Sequence, residues 1–501
     1  MTEKMRQREA LIPKGRVRTR FAPSPTGYMH VGGLRTALYA YLIAKHAGGD
    51  FLLRIEDTDQ ERFVQGAIAV IYRTLRETGL VYDEGPDVGG PVGPYVQTER
   101  RGLYTEYADY LVGKGHAYPC FCDKERLDEL RRIHEASHIA HKYDGCCARL
   151  SPEEVAAKKA AGLPFVIRQK MPATGKTAFD DVVFGRIEVD NSELDDNILV
   201  KSDGLPTYNF ANVIDDHLMG ITHIVRGTEY LASTPKYNLL YQAFGWDIPT
   251  YIHVSPVMKN ATQKLSKRHG DPTYEDLLAM GYLRDAIVNY VTLLGWSPRS
   301  EQEIFSLSDL IACFDLEGLS KSPAIFNMDK LTWFNGQYLR RLSPAEFAAL
   351  SRPYIEQTVK TSPVDKDGLA ALLQERCEKL TDIPEQVDFF DAVPPYDTAL
   401  YEHKKMKTDK ASSLMALRSA LPVLAALTVW SKESLHDALM ALVAALGTKN
   451  GQLLYPLRVA VSGKAFTPGG GVELCTLLGK EETLVRVKSA VVLLEQETET
   501  R

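Results

Sequence analysis

A glycine-rich turn between a strand and a helix constrains this chain more than any other stretch. Residues 16–22 (RVRTRFA) alternate and predict a strand, and Pro23-Ser24-Pro25-Thr26-Gly27 follows as a turn. Beyond Gly32-Gly33 the apolar residues Leu34, Ala37, Leu38, Tyr41 and Leu42 fall at helical spacing. Gly48-Gly49 stops that helix, and residues 51–55 (FLLRI) predict a second strand. Strand, glycine-rich turn, helix and strand make a βαβ unit. Its right-handed crossover places the first turn at the carboxyl edge of a parallel sheet, where α/β folds bind ligands.

The residues in that turn suit a phosphate. Gly27, Gly32 and Gly33 let the backbone approach a ligand closely, and Gly33 is predicted to begin a helix whose free N–H groups favour an anion. His30 and Thr26 can each donate to a phosphate oxygen. Far downstream, KLSKR (264–268) supplies Lys264 and Lys267. These are point charges on flexible stems, suited to a pyrophosphate that becomes more negative as it leaves. Taken alone, each motif is explained by a tight turn or a solvated loop. Together they predict a site that holds a nucleotide triphosphate from two sides.

The bulk properties limit the remaining classes. With 501 residues the chain exceeds one core, which predicts roughly three to five subdomains. A net charge of −6 removes non-specific stickiness as a reason for nucleic-acid binding, so any such partner must meet local basic surfaces. Residues 1–17 mix Glu3 and Glu9 with Lys4, Arg6 and Arg8 around no apolar core, unlike a signal or transit peptide. No apolar run is long enough to span a membrane. Four of the seven cysteines crowd between Cys120 and Cys147, which argues for a reducing, cytoplasmic setting and a local site rather than a disulfide framework. Residues 101–204 read as an insertion, with helices around the cysteines and a β-rich part near 165–189. Beyond about Asp329 there is almost no strand signal, and linkers are expected near 362–367 and 392–398.

PSPTGYMHVGG resembles the "HIGH" signature and KLSKR the "KMSKS" signature of class I aminoacyl-tRNA synthetases. RFAPSPTG, RIEDTD (54–59), YNFANVIDDHLMGITHIVRG (208–227) and KLSKRHGD are similar to the glutamyl-tRNA synthetases of bacterial type. The likeness continues through FNMDKLTWFNGQYLR (326–340) to YPLRVAVSG (455–463). It implies a Rossmann-type α/β catalytic domain with an inserted acceptor-binding subdomain, followed by an all-α anticodon-binding half. The expected boundaries are 16–100 and 205–260 for the two Rossmann halves, 101–204 for the insertion and 261–335 for the KLSKR-bearing connection. Two helical subdomains, 336–395 and 396–501, complete the chain. The implied activity is ATP-dependent attachment of L-glutamate to tRNA(Glu) through an adenylate, with Mg²⁺ on the phosphates, by a monomer in the cytoplasm.

The chemistry suits the residues. An adenylate forms when the substrate's own carboxylate attacks the α-phosphate, so no protein nucleophile is needed, and no nucleophile–base pair or H-E-x-x-H stands out. Glutamate carries two carboxylates and one ammonium, so its pocket needs cationic or hydroxyl partners and one buried anion. Arg20, Arg226, Tyr208 and Glu56 meet that count, with Ser24 adding a hydrogen bond, and the resemblance puts the amino acid at these positions and Glu229 near the adenosine. An alternative makes Arg54 and Glu56 a surface pair and leaves Arg226 capping a strand end.

Cys120-x-Cys122 and Cys147 can offer three thiolates to tetrahedral zinc. Zinc-binding family members use a C-x-C pair and a distal cysteine followed by histidine, or a tyrosine four residues ahead of the last cysteine. Arg149 stands at that histidine position and cannot ligate, which leaves Tyr143, Cys146 or His141 as the fourth ligand. The alternative is a set of reduced, partly buried cysteines. For tRNA, Lys404, Lys405 and Lys407 form a basic cluster, in which a solvated helix face is the plain alternative to phosphate contact. Arg376 resembles an arginine that reads the last anticodon base, although a surface arginine explains it as well. Glutaminyl-tRNA synthetases are disfavoured by PSPTG and the helical C-terminal spacing. The short paralogue that glutamylates a tRNA base is disfavoured by KLSKR and the C-terminal half. A silent RNA-binding relative is disfavoured because His30, Gly33 and Lys267 are all present.

Overall fold

The computed structural model describes residues 1–27, 29–265 and 270–499. The chain forms two compact units, one of residues 1–276 and 287–327, the other of residues 277–286 and 328–501.

The first unit is built on the expected βαβ motif. Strand β1 (Arg18–Phe21) lies parallel to β2 (Asp50–Leu53), and helix α1 (Val31–His46) crosses between them. The stop at Gly48-Gly49 has a local cause. Gly48 is left-handed at φ +63°, and a Cβ on Gly49 would stand 2.0 Å from the Val17 carbonyl oxygen, where the chain turns back into β2. Leu34, Ala37, Leu38, Tyr41 and Leu42 are buried as the spacing predicts, but so are Tyr39, Ala40, Ile43 and Ala44, so from residue 37 to 44 the helix packs on every side rather than on one face.

The sheet continues through the second half of the domain, drawing on residues from within the 101–204 segment. Strands β3 (Lys176–Asp181) and β4 (Gly185–Asp190) form an antiparallel hairpin. Helix α2 (Tyr208–Leu218) leads to β5 (His223–Gly227), which runs parallel to β6 (Thr250–Val254). β6 pairs with β3 at Tyr251 and Asp181, so the hairpin extends the sheet. Thr222 joins β5 to β1, its N–H donating to Arg18 O at 2.9 Å. A separate three-stranded sheet, from Ala117–Cys120, Val166–Gln169 and Ile198–Val200, carries the cysteine cluster.

Residues 1–17 hold a helix, Glu3–Leu11, with Thr2 accepting from Met5 N–H at its start. Met5 is fully buried among Tyr107, Leu111 and Phe244, and Glu9 meets His217 at 2.8 Å.

The second unit is helical, and no strand follows Ile325 among the described residues. Its core gathers Leu417, Leu424, Leu435 and Leu439, all fully buried, with Leu421 and Leu442 at its edge. Capping boxes at Ser343 with Glu346 and at Asp409 with Ser412 start two of its helices. No described helix is long and apolar enough to cross a membrane.

Candidate active site

The carboxyl ends of β1, β5 and β6 and the start of α1 enclose a cavity of about 540 Å³. Arg20, Ser24, Thr26, His30, Gly33, Glu56, Tyr208, Arg226, Glu229 and Lys264 all line it. Lys267 lies outside the described residues.

At the nucleotide end, α1 begins at Val31, earlier than Gly33, because His30 is its N-cap. The imidazole folds back so that Nδ1 accepts the Gly33 N–H at 3.1 Å. A Cβ on Gly32 would stand 3.2 Å from that ring, which explains a glycine there. With Nδ1 accepting, the proton of the neutral ring sits on Nε2, free to donate outward. The ring reaches the solvent of the cavity but is walled in on its other sides; burial lowers its pKa, with Glu229 pulling the other way. Lys264 also lines the cavity; it is exposed and its backbone bridges to Met258.

At the other end, the arginines divide by partner. Arg20 donates to both oxygens of Asp216, at 2.9 and 3.2 Å, and to Val225 O. Arg54 reaches Asp216 at 2.7 Å and Glu56 Oε1 at 2.8 Å. Arg100 holds Asp215 at 2.7 Å, and Tyr104 donates to the same carboxylate. Three cations therefore meet three anions in one network. Arg54 and both aspartates are fully buried, so the surface-pair alternative for Arg54 and Glu56 fails: the pair braces the sheet. Burial raises the Glu56 pKa and Arg54 opposes the rise. Burial also works against the charge on Asp216, but Arg20 and Arg54 outweigh it and its pKa is lowered.

Arg226 stands apart from that network. It is 4% exposed, yet no acidic side chain lies within ion-pair distance among the described residues. Its guanidinium carbon lies 4.7, 5.1 and 5.5 Å from the ring centres of Tyr237, Tyr251 and Tyr230. Nε donates to His253 Nε2 at 3.0 Å and Nη2 to Thr234 Oγ1 at 2.7 Å. Nη1 is buried with no protein partner. A desolvated cation lining a cavity without a counter-ion is arranged for an anionic ligand. Tyr208 packs against Tyr230 with ring centres 5.1 Å apart, and burial pushes its hydroxyl well above the ordinary tyrosine range. Asp216, Thr234, His253 and Asp181 carry no sequence signal of this role, Asp216 within DDHLMG (215–220) included; only the fold brings them to the arginines.

In the cysteine cluster, the sulfurs of Cys120, Cys122 and Cys147 lie within 4.8 Å of one another. The Tyr143 hydroxyl stands 3.4 Å from Cys120 Sγ and 3.3 Å from Cys122 Sγ. Cys146 falls outside this cluster, and His141 lies against His134 instead, with ring centres 5.6 Å apart and planes tilted by 56°. Tetrahedral zinc with bonds of about 2.3 Å needs sulfurs roughly 3.8 Å apart, and Cys122 and Cys147 are 3.6 Å apart. The donor set fits that ion.

Within the second unit, Arg376 and Lys405 line a groove of about 1000 Å³ with Arg458, Tyr455 and Phe466. Phe466 is 88% exposed, and Arg376 donates to Thr467 O at 3.0 Å. Lys404 and Lys407 are exposed on the same turn but do not line the groove. That basic run is a turn closed by His403 and Thr408, with Lys407 at φ +56°, rather than a helix face.

A sheet that is parallel except for one hairpin, a capped helix start and a charged cavity at the strand ends define an α/β domain of the class that binds its ligands beyond the carboxyl ends of the strands. Residues 16–333 match the family described as "tRNA synthetases class I (E and Q), catalytic domain", and residues 337–491 match the "Anticodon binding domain". The glutamate–tRNA ligase of Clostridium tetani is 60% identical over 482 residues, covering 96% of this chain and 99% of that protein. That of Clostridium acetobutylicum is 57% identical over 480 residues, covering 96% and 99%. Among solved structures, a glutamate tRNA ligase from Elizabethkingia meningosepticum in complex with its amino acid aligns with a TM-score of 0.87 at 37% identity, covering 96% of this chain and 100% of that one. The chain belongs to the class I tRNA synthetases of the E and Q group.

Proposed function

We propose that the protein joins L-glutamate to the 3′ end of tRNA(Glu) in two steps, forming a glutamyl-adenylate from ATP and then transferring the glutamyl group to the terminal ribose. One observation carries the amino-acid assignment: Arg226 is a buried cation on the cavity wall that no acidic side chain among the described residues neutralises. A substrate carboxylate completes it, and the glutamate side chain supplies one. Glu56 answers the ammonium, while Tyr208, Ser24 and Arg20 contribute the remaining polar contacts. Arg20 does so with those N–H groups that Asp216 leaves over.

In the first step the α-carboxylate attacks the α-phosphate and pyrophosphate leaves. His30 Nε2–H donates to the phosphates, with Thr26 and the remaining N–H groups at the start of α1 beside it; that of Gly33 is taken by His30 Nδ1. Lys264 and Lys267 draw off the charge of the leaving pyrophosphate. Glu229 faces the adenosine side. Among the described residues the carboxylates lining the cavity are Glu56 and Glu229; Mg²⁺ would enter with the ATP phosphates and would neutralise part of their charge. In the second step a ribose hydroxyl attacks the acyl carbonyl and AMP leaves. Catalysis is positioning and charge stabilisation throughout, because the substrate's own carboxylate is the nucleophile.

The cysteine cluster supports a structural zinc held by Cys120, Cys122, Cys147 and Tyr143, stiffening the segment around the acceptor end. The groove of the second unit supports anticodon reading, with Arg376 able to pair with a base edge, Phe466 offering a stacking face and Lys404, Lys405 and Lys407 meeting phosphates. The cysteines are unpaired, which suits a reducing compartment such as the cytoplasm, and a monomer suffices because one chain carries the whole cavity. The test is ATP-dependent charging of tRNA(Glu) with labelled glutamate, glutamine and aspartate in parallel. Glutamate alone should be accepted; equal use of glutamine would overturn the role given to Arg226.

A further inference from the structure

Resting on that reading of Arg226, we propose that His253, braced by Asp181, and Thr234 are positioning residues that aim this arginine at the substrate carboxylate while leaving its charge unneutralised. Arginine Nε always carries a proton, so the 3.0 Å contact from Arg226 Nε requires an acceptor at His253 Nε2. The imidazole proton must then sit on Nδ1, which lies 2.6 Å from Asp181 Oδ2. Asp181 is itself fixed: its Oδ1 accepts the N–H groups of Val183 and Phe184, at 3.0 and 2.9 Å, in the turn between β3 and β4. The side chains of His253 and Asp181 are fully buried. A line of directed hydrogen bonds therefore runs from the hairpin turn to the guanidinium. Thr234 fixes the second nitrogen, accepting from Nη2 at 2.7 Å while its own hydroxyl donates to Tyr230 O at 2.9 Å.

The choice of acceptors has an electrostatic consequence. A carboxylate beside Arg226 would pair with it and compete with substrate, as Asp216 pairs with Arg20 and Arg54. An imidazole and a hydroxyl orient the same cation without cancelling it. Desolvation lowers the His253 pKa, and Arg226 lowers it further, so the ring stays neutral despite Asp181. Two of the three guanidinium nitrogens are thereby held by neutral acceptors, and Nη1 has no protein partner.

The test is steady-state glutamylation by the full-length protein, with glutamate, ATP and tRNA each varied. His253→Leu and Thr234→Val, which remove the acceptors, should each raise KM for glutamate by about tenfold, with KM for ATP and tRNA within about twofold. His253→Gln presents an amide oxygen to Arg226 and an N–H to Asp181, and Thr234→Ser keeps the hydroxyl. Both should stay within about threefold of the parent in KM for glutamate. A glutamate KM unchanged in His253→Leu and Thr234→Val overturns the proposal, as does a glutamine variant as impaired as the leucine one, or a parallel rise in all three KM values. If His253→Leu fails to fold, the Thr234 pair decides alone. A parent protein that charges no glutamate defeats the function itself, a separate result visible in the same assay.

Discussion

Arg226→Met separates an arginine kept for substrate from the arginines that hold the fold. The methionine preserves the apolar stem among Tyr230, Tyr237 and Tyr251 and deletes the charge. Folding loses two hydrogen bonds, at 3.0 and 2.7 Å, worth about 1 kcal/mol each. It also loses cation–π contacts worth about 0.5–2 kcal/mol. Against these stands the cost of burying a cation with no counter-ion, on the order of several kcal/mol, which the variant no longer bears. The terms nearly cancel, so the melting temperature should stay within about 3 °C of the parent. Catalysis has no such offset. Removing one partner of a buried charge pair costs about 2–5 kcal/mol, which lowers kcat/KM for glutamate by roughly thirtyfold to several thousandfold. Arg54→Met should do the reverse: it strands Glu56 without its cation, leaves Asp216 with Arg20 alone and destabilises the fold by about 3–5 kcal/mol. The assays are thermal unfolding and glutamate-dependent tRNA charging on both variants. An Arg226→Met protein that charges glutamate with parental kcat/KM, or melts as early as Arg54→Met, would refute the reasoning.

His30→Asn keeps an oxygen that caps α1 but loses the outward Nε2–H. Stability should change by less than about 0.5 kcal/mol in denaturant titration, while the rate of adenylate formation falls about 10²–10³-fold; an unimpaired rate would remove His30 from the phosphates. Burial holds His30 and His253 below the ordinary histidine value of 6.5, so the unfolded chain binds protons there that the folded chain does not. Stability contributed by these rings is complete above pH of about 6.5 and is lost as pH falls through their folded values. Urea midpoints should drop over that interval and drop less in His253→Gln, and identical slopes would contradict the account. Purified protein should carry about one zinc per chain by mass spectrometry, lost in Cys122→Ser and retained in Cys146→Ser and His141→Ala; retention in Cys122→Ser would reject the cluster as its site.

Local patterns carried the sequence reading far. The glycine turn, the spacing from Leu34 to Leu42 and the stop at Gly48-Gly49 made the βαβ unit visible, because each depends on neighbours a few residues away. The helical spacing of Leu414, Leu417 and Leu424 did the same for the second unit. What stayed hidden depends on distance. The helix Glu3–Leu11 buries a single residue, Met5, so it has no apolar periodicity to detect. Arg20, Arg54 and Arg226 look alike in the chain; their roles differ because Asp216 reaches two of them and none of the described acids reaches the third. Asp181 and His253 are 72 positions apart and meet only because β3 and β6 are neighbours. Tyr143, Cys146 and His141 were equal candidates by sequence, and the fold placed only Tyr143 against the sulfurs. The basic run at 403–408 is a turn because a short bridge, not helical spacing, sets its path.

The most direct test of the whole account is ATP-dependent attachment of labelled glutamate to purified tRNA(Glu) and tRNA(Gln), side by side. The account predicts glutamyl-tRNA(Glu) with AMP released in equal amount, and an Arg376→Ala protein that charges tRNA(Glu) more weakly. Folded protein that charges neither tRNA would contradict it.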